Sequence, residues 1–318
     1  MIKIVDFSNC KLSPRNLEYG GRAGEKKGII YNDGYWFLKY PKTTAGMDIK
    51  GGLSYTTSPL SEFIGSHIFE ILGYKVHETV LGVCLDGKKY KVVCACKDFI
   101  ENDKEEILIP YTALRNDTNP DLNGRDFTPT SASNIFEIIN QLKFNTALKS
   151  IKNATELFWD VLVIDLLINN NDRNEDNWGV IKNKKTNEYR MAPVYDCGNC
   201  FNSKASEEKI ENILNDIDRL KSSSLNGITA YADNKLERIK NIDILDLRNQ
   251  SLRESIIRVS SKVEQKLGEI EELILEIPES YNGLQIMSNL RKKYYFESFK
   301  LRYFLLVRAK AYLYSIKK

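Results

Sequence analysis

The stretch NNNDRNEDNWG, Asn169 to Gly179, follows directly on the apolar run FWDVLVIDLLI, Phe158 to Ile168. Nine consecutive side chains, Asn169 to Asn177, are acidic, basic or amide. Asn is a poor helix-interior residue and a good turn residue, so the run marks the end of a buried helix and the start of a loop fed by it. Such a loop is held rigidly, which makes Asp172 and Asn177 positioned side chains available for chemistry. Further on, YDCGNC supplies Asp196 and, two residues later, Gly198. An Asp in a rigid loop can receive the proton of an attacking hydroxyl. The oxygens of Asn177 and Asp196 are the hard ligands that Mg²⁺ takes beside phosphates. Taken singly, each also fits an Asx turn at the end of a helix or strand.

Three further groups stand upstream. YGGRAGEKKG sets Gly20, Gly21, Gly24 and Gly28 around Arg22, Lys26 and Lys27. Glycines let backbone N–H groups approach phosphate oxygens, and the basic side chains add charge; a Gly-rich surface turn is the ordinary alternative. Lys39, in YWFLKYP, is flanked by Phe37, Leu38 and Tyr40. A lysine there is either an edge-strand solubiliser or a charge held for a ligand. Glu62, on the first turn of the helix predicted next, would meet Lys39 and fix its ammonium toward α- and β-phosphates. The alternative is an exposed first-turn acid favoured by the helix dipole. In chain order these are the parts of phosphoryl transfer, and Asp172 and Asn177 keep the interval of the Asp and Asn in a kinase catalytic loop.

The elements that must position these residues change character near residue 100. Before it, GIIY, the Asn32-Asp33-Gly34 turn, YWFLKY, ETVLGVCL, Asp86-Gly87 and YKVVCACKDF alternate β-type runs with turn signals. One helix interrupts them at SPLSEFIGSHIFEILG, with Ser58 as N-cap, Pro59 at the first helical position and Gly73 as the stop. After residue 100 helical spacing dominates, in SNIFEIINQLKFNTALKSI, ATELFWDVLVIDLLI and several segments from Lys204 to Lys318. A hairpin-like WGVIKNKKTNEYRMAPVYD would bring Asp196 back beside the loop it left. The expected fold is α+β and bilobal, protein-kinase-like. A small β-rich nucleotide-binding lobe with one helix covers 1–100, and a larger, mainly helical catalytic lobe covers 101–318.

With 318 residues and 42% hydrophobic content the chain can bury a real core. A net charge of +3, from 46 basic and 43 acidic residues, argues against a surface built for nucleic acid. Between Leu284 and Lys318 nine Lys or Arg face one acid, Glu297; a solvated helix face is favoured over a phosphate or partner surface. No apolar stretch nears the roughly 20 residues that span a bilayer, and MIKIVDFSNCKL lacks the apolar core of a secretory signal. The expectation is a cytoplasmic protein away from the membrane, with secretion or translocation left open. Cys94 and Cys96, and Cys197 and Cys200, are closely spaced pairs that invite a zinc reading. YKVVCACKDFI, however, has the composition of a buried strand and the chain holds only two His, so small buried hydrophobes are favoured over a four-cysteine zinc site.

LLINNNDRNEDNWGVI followed by YRMAPVYDCGNC resembles the HipA-like serine/threonine kinases, and within them the short members of the cell-translocating kinase A (CtkA) type. The resemblance also takes in GGRAGEKKG, LKYP, SEF, ETVLG, VVCACKDF and LFWDVLVIDLLI, and beyond residue 205 it reduces to a generic helical lobe. It implies Asp172 as catalytic base, Asn177 and Asp196 as magnesium ligands, Lys39 as phosphate-binding lysine and Glu62 as its partner. Gly21, Gly24 and Lys26 would belong to the nucleotide loop. The adenine hinge would fall about Lys97 to Ile100, Lys97 and Phe99 among its residues, with backbone groups reading the base. Where many relatives carry His two positions after the catalytic Asp, this chain has Asn174. Longer HipA proteins carry an additional N-terminal subdomain for which this chain has no room, so dependence on an antitoxin-like regulator stays open.

The expected activity is transfer of the γ-phosphoryl group of ATP, with Mg²⁺, to Ser or Thr hydroxyls of a protein substrate. A small-molecule phosphotransferase would use the same base and metal ligands, and a catalytically silent nucleotide-binding module is the non-enzyme alternative. The long polar segment after Asp196 lies where kinases place a mobile activation loop. Ser203, Ser206 and Ser222 to Ser224 are its candidate acceptors for autophosphorylation, against the alternative of an ordinary helical linker.

Overall fold

The computed structural model describes residues 1–16, 26–44, 55–100, 102–118, 132–246 and 248–315. Gly21 and Gly24 of the expected nucleotide loop lie outside them. The first elements are β1 (Val5–Asp6), β2 (Lys11–Leu12), β3 (Lys26–Tyr31), β4 (Gly34–Lys39), α1 (Ser58–Ile71), β5 (Thr79–Asp86) and β6 (Lys89–Lys97). Next come β7 (Glu106–Pro110), α2 (Tyr111–Thr118), β8 (Ser133–Asn134), α3 (Ile135–Phe144), α4 (Thr146–Ser150), α5 (Ala154–Ile168), β9 (Gly179–Asn183) and β10 (Tyr189–Met191). The last are α6 (Glu207–Leu214), α7 (Ile217–Leu225), β11 (Ile228–Ala232), β12 (Arg238–Lys240), α8 (Asn241–Ile244), α9 (Gln250–Leu275), β13 (Ser280–Tyr281), β14 (Leu284–Gln285) and α10 (Asn289–Ser315). Two compact units result. One is Met1–Phe99 with Cys197–Ser224 and Glu264–Leu301; the other is Ile100–Asp196 with Leu225–Val263 and Arg302–Lys318.

In the first unit six strands form a sheet in the order β1-β5-β6-β4-β3-β2. Its hairpins follow from local turn chemistry. Asn32 and Asp33 take φ of 47° and 56°, the left-handed values that a two-residue turn between right-twisted strands requires. Phe7, Ile29, Trp36, Leu38, Val93 and Ala95 pack on one face. Strand alternation therefore sends Lys39 to the opposite face, while α1 packs against β5 and β6. Lys39 is not on an edge, because β4 lies between β6 and β3. The helix begins one residue earlier than the sequence predicts: Thr57 is the N-cap and has no side-chain cap bond, because its hydroxyl donates to Ser203 O at 3.1 Å instead.

In the second unit α5 is buried around most of its girth, through Phe158, Trp159, Leu162, Val163, Ile164, Leu167 and Ile168. This explains an apolar run where a surface helix would show a stripe. It stops at Asn169 in the left-handed region (φ 53°, ψ 46°), which Asn tolerates. The hairpin β9–β10 forms as expected and gains β7 as a third strand, in the order β10-β9-β7. The sequence does not predict β7, since it is short and follows the charged ENDKE.

The C-terminal cations depart from the solvated face expected of them. Arg291, Lys292 and Arg302 are buried. Arg291 donates to Ala205 O at 2.8 Å and pairs with Glu207, Lys292 donates to Leu275 O at 3.1 Å, and Arg302 donates to Leu167 O at 2.8 Å. Leu275 and Leu167 sit at the C-terminal ends of α9 and α5, where unpaired carbonyls and the helix dipole favour cations. Among the described residues no helix is long and apolar enough to cross a membrane.

Where β1 lies against β5, a Cβ on Gly82 would collide with the Val5 carbonyl oxygen and the Phe7 ring. Gly82→Ala is expected to lower unfolding free energy by about 1–3 kcal/mol, the usual cost of overpacking. Denaturant unfolding checks this, and an unchanged midpoint would show that β1 can move away freely.

Candidate active site

Lys39 and Glu62, ambiguous in isolation, meet in the first unit. Lys39 Nζ lies 2.8 Å from Glu62 Oε2, with the lysine side chain 14% exposed and the glutamate side chain 0%. Glu62 is therefore not the exposed first-turn acid of the alternative reading. A buried ion pair loses much of its Coulomb gain to desolvation, so what surrounds the carboxylate matters. The second oxygen, Oε1, lies 3.0 Å from Nε2 of His77, which is buried just ahead of β5. Ser66 Oγ, one turn along α1, stands 3.2 Å from the same nitrogen.

The segment after Asp196 closes against this helix. Ser61 Oγ donates to Cys200 O at 2.8 Å, and a Cβ on Gly198 would come within 3.1 Å of Glu62 Oε2. The Gly of the Asp-x-Gly thus lies in tight space beside the glutamate. Cys96 joins Glu62 and His77 in a cluster whose ligand atoms lie within 4.8 Å of one another. Carboxylate, imidazole and thiol suit zinc, but the Lys39 ammonium already balances the one carboxylate. Burial also pushes the neighbouring Cys94 thiol well up, aided by the nearby Cys96. Five of the six cysteines are buried and Cys10 is half-buried.

Lys26 stands directly opposite Lys39 in the β3–β4 register. Side chains opposite each other share a face, and like charges there repel; a bound polyanion would turn that cost into a gain. In the expected hinge the Lys97 N–H donates to Glu78 O and the Asp98 N–H to Tyr35 O, both at 2.9 Å. Those two N–H groups are spent within the unit, and the Lys97 ammonium pairs with Glu78 at 3.0 Å.

In the second unit the loop after α5 is organised by a residue the sequence reading passes over. Arg173 is 1% exposed. Its Nε and Nη2 hold the two oxygens of Asp165 at 2.8 and 3.0 Å. Its Nη1 donates to Asn177 O at 3.1 Å and also to Tyr195 O. One planar guanidinium so joins the end of α5, the backbone of one proposed metal ligand and the residue before the other. Asn170 donates to Asp165 Oδ1 at 3.0 Å and accepts from the Asp172 N–H at 3.3 Å. Asn177 Nδ2 donates to Asp172 O at 2.6 Å, which turns its Oδ1 to the other side. Asn174, at the position where relatives carry His, donates to Asp172 Oδ1 at 3.3 Å. Asp196 sits at φ 60°, a left-handed strain of about 1–3 kcal/mol for a non-glycine residue, and the clamp on Tyr195 holds the chain at that point.

The outer side of the loop is tied to α2. Arg115 pairs with Glu175 at 2.6 Å and Thr112 Oγ1 donates to Asp176 at 2.6 Å. Burial pushes Glu175 up to about 6 against the pull of Arg115. One signal could have found Asp165 and Arg173: a carboxylate inside VLVIDLLI cannot be buried alone. Nothing local marks His77.

Removing Arg173 leaves Asp165 buried and unpaired, so Arg173→Ala should cost about 3–5 kcal/mol. With Asp165→Asn added, the double variant should lose less than the sum of the two singles. Denaturant unfolding of the four proteins measures this coupling, and strict additivity would refute the clamp.

No family model matches the chain. It is 29% identical over 293 residues to the serine/threonine-protein kinase CtkA of Helicobacter pylori, a match covering 91% of this chain and 82% of that protein. The crystal structure of the H. pylori proinflammatory kinase CtkA shares the fold, with a TM-score of 0.81 over 99% of this chain and 100% of that one at 24% identity. HipA from the Shewanella oneidensis HipA–HipB–operator complex is more distant, with a TM-score of 0.48 at 15% identity over 95% of this chain and 68% of that one. Likeness in sequence along most of the chain, and in fold along nearly all of it, relates this protein to the serine/threonine-protein kinase CtkA.

Proposed function

We propose that this chain is a protein kinase that uses ATP and Mg²⁺ to phosphorylate Ser or Thr hydroxyls. The observation that carries this reading is the buried Lys39–Glu62 pair, because it converts a lysine of ambiguous role into a cation held in place on the same face as Lys26. Lys39 binds the α- and β-phosphates, with Lys26 and the glycine-rich stretch about Gly21 and Gly24 serving the same nucleotide. Asp172 accepts the proton of the acceptor hydroxyl. Asn177 Oδ1 and the Asp196 carboxylate hold Mg²⁺, which offsets the charge on the transferring phosphoryl group. The loop around Arg173 supports these roles by fixing the backbone at Asp172, Asn177 and Tyr195 before substrate arrives. Phe99 and the carbonyls about Lys97 serve the adenine.

The likeness to the H. pylori serine/threonine-protein kinase supports a polypeptide acceptor. For self-phosphorylation Ser222 is the candidate of choice, because it is exposed. Ser203 and Ser224 are buried, Ser206 caps α6, and Ser223 Oγ lies 2.8 Å from Tyr294 OH.

Saturating Mg-ATP should raise the melting temperature, since a ligand that binds only the native state stabilises it. Asp172→Asn should retain that shift while transfer falls by about 10²–10⁴-fold, the usual contribution of a positioned base. Asp196→Ala should lose both. Labelled-ATP assays on a protein lysate, with mass spectrometry of the chain itself, provide the readout. Near-normal transfer by Asp172→Asn, or turnover confined to sugars and amino alcohols, would overturn the assignment.

A further inference from the structure

We propose that His77 is a positioning residue for phosphoryl transfer, acting on Lys39 through Glu62; this rests on the kinase reading above. Three side chains form a line in which only one end is exposed: Lys39 at 14%, against Glu62 at 0% and His77 at 1%. Only the lysine end reaches toward solvent, where a phosphate would be met, and the histidine closes the buried end.

The position of the imidazole proton follows from the surroundings. His77 Nδ1 is buried with no hydrogen-bond partner among the described residues. A proton there would be a buried donor without an acceptor, which is costly. A bare Nε2 would set its lone pair 3.0 Å from a carboxylate oxygen. The proton therefore sits on Nε2, directed to the side where Glu62 Oε1 and Ser66 Oγ lie.

The consequence for Lys39 is geometric. The terminal torsion of a glutamate is broad and only weakly held by its own rotamer preference. With Lys39 on Oε2 alone, the carboxylate could swing and carry the ammonium with it. His77 Nε2, held 3.2 Å from Ser66 Oγ, stands 3.0 Å from Oε1 and limits the swing of that oxygen by its position. No covalent step is involved; the histidine moves no proton and touches no substrate.

Two substitutions separate this role from a bland need for a polar residue. Gln carries its amide nitrogen where His carries Nε2, and Asn carries it where His carries Nδ1. His77→Gln should retain most of the wild-type kcat/KM for ATP, whereas His77→Asn should lose about 10- to 100-fold, the usual range for a supporting contact behind a ligand-binding group. In a Glu62→Gln background the Gln and Asn variants should become equal, since the residue through which His77 acts is altered. Melting temperatures measured alongside show that each variant is folded. Equal rates for His77→Gln and His77→Asn as single variants, with Glu62 unchanged and wild type active, would overturn the role of His77 and leave the kinase reading intact. A wild type that transfers no phosphate to any acceptor would overturn that reading and the inference with it.

Discussion

A carboxylate in the middle of an apolar helix sets the terms for the second unit. Asp165 is buried in α5, and an isolated ion there would cost several kcal/mol. Arg173 answers it with a two-pronged contact, and the remaining nitrogen of the same guanidinium reaches Asn177 O and Tyr195 O. Because a guanidinium is planar and always charged, its donors cannot be aimed independently. The helix end, the Asp172 loop and the approach to Asp196 are consequently fixed together. Asp160, one turn and a half earlier on α5, has a parallel solution in Ser255 and Arg258, with Arg258 at 2.6 Å. The helix thus uses its buried acids as anchors for other segments.

The first unit applies the same logic to a different end. Glu62 is as buried as Asp165, yet one partner, Lys39, remains partly exposed. The pair is therefore poised to present charge rather than to lock a backbone. Lys26 across the hairpin and Lys39 share a face, a local repulsion that the fold tolerates and that a nucleotide's phosphates would relieve. Gly198 packs closely beside Glu62, so a larger residue there would press on the carboxylate.

Cations elsewhere serve structure. Lys292 and Arg302 spend their donors on helix-end carbonyls, so a basic segment that suggests a solvated face becomes a set of internal caps. Net charge and its clustering cannot distinguish these uses, because both place the same residues at the same helical spacing.

Local signals in the sequence by themselves determined a good deal. The Asn-Asp turn, the Pro and Gly bounding α1, the apolar girth of α5 and the order of Lys39, Glu62, Asp172, Asn177 and Asp196 are all short-range properties of backbone preference and side-chain chemistry. They suffice for an α+β chain with the candidate residues for phosphoryl transfer in the expected order. Tertiary structure alone decided which charges are buried and with whom. Lys39 and Glu62 were individually ambiguous until β4 proved an interior strand. Arg173 looked like one polar residue among nine until its four contacts were in view. His77, fifteen residues from Glu62, carried no signal, since its partner is chosen by the packing of α1 against the sheet. Ion pairing depends on desolvation and on distances between segments far apart in the chain, and neither quantity is contained in local pattern.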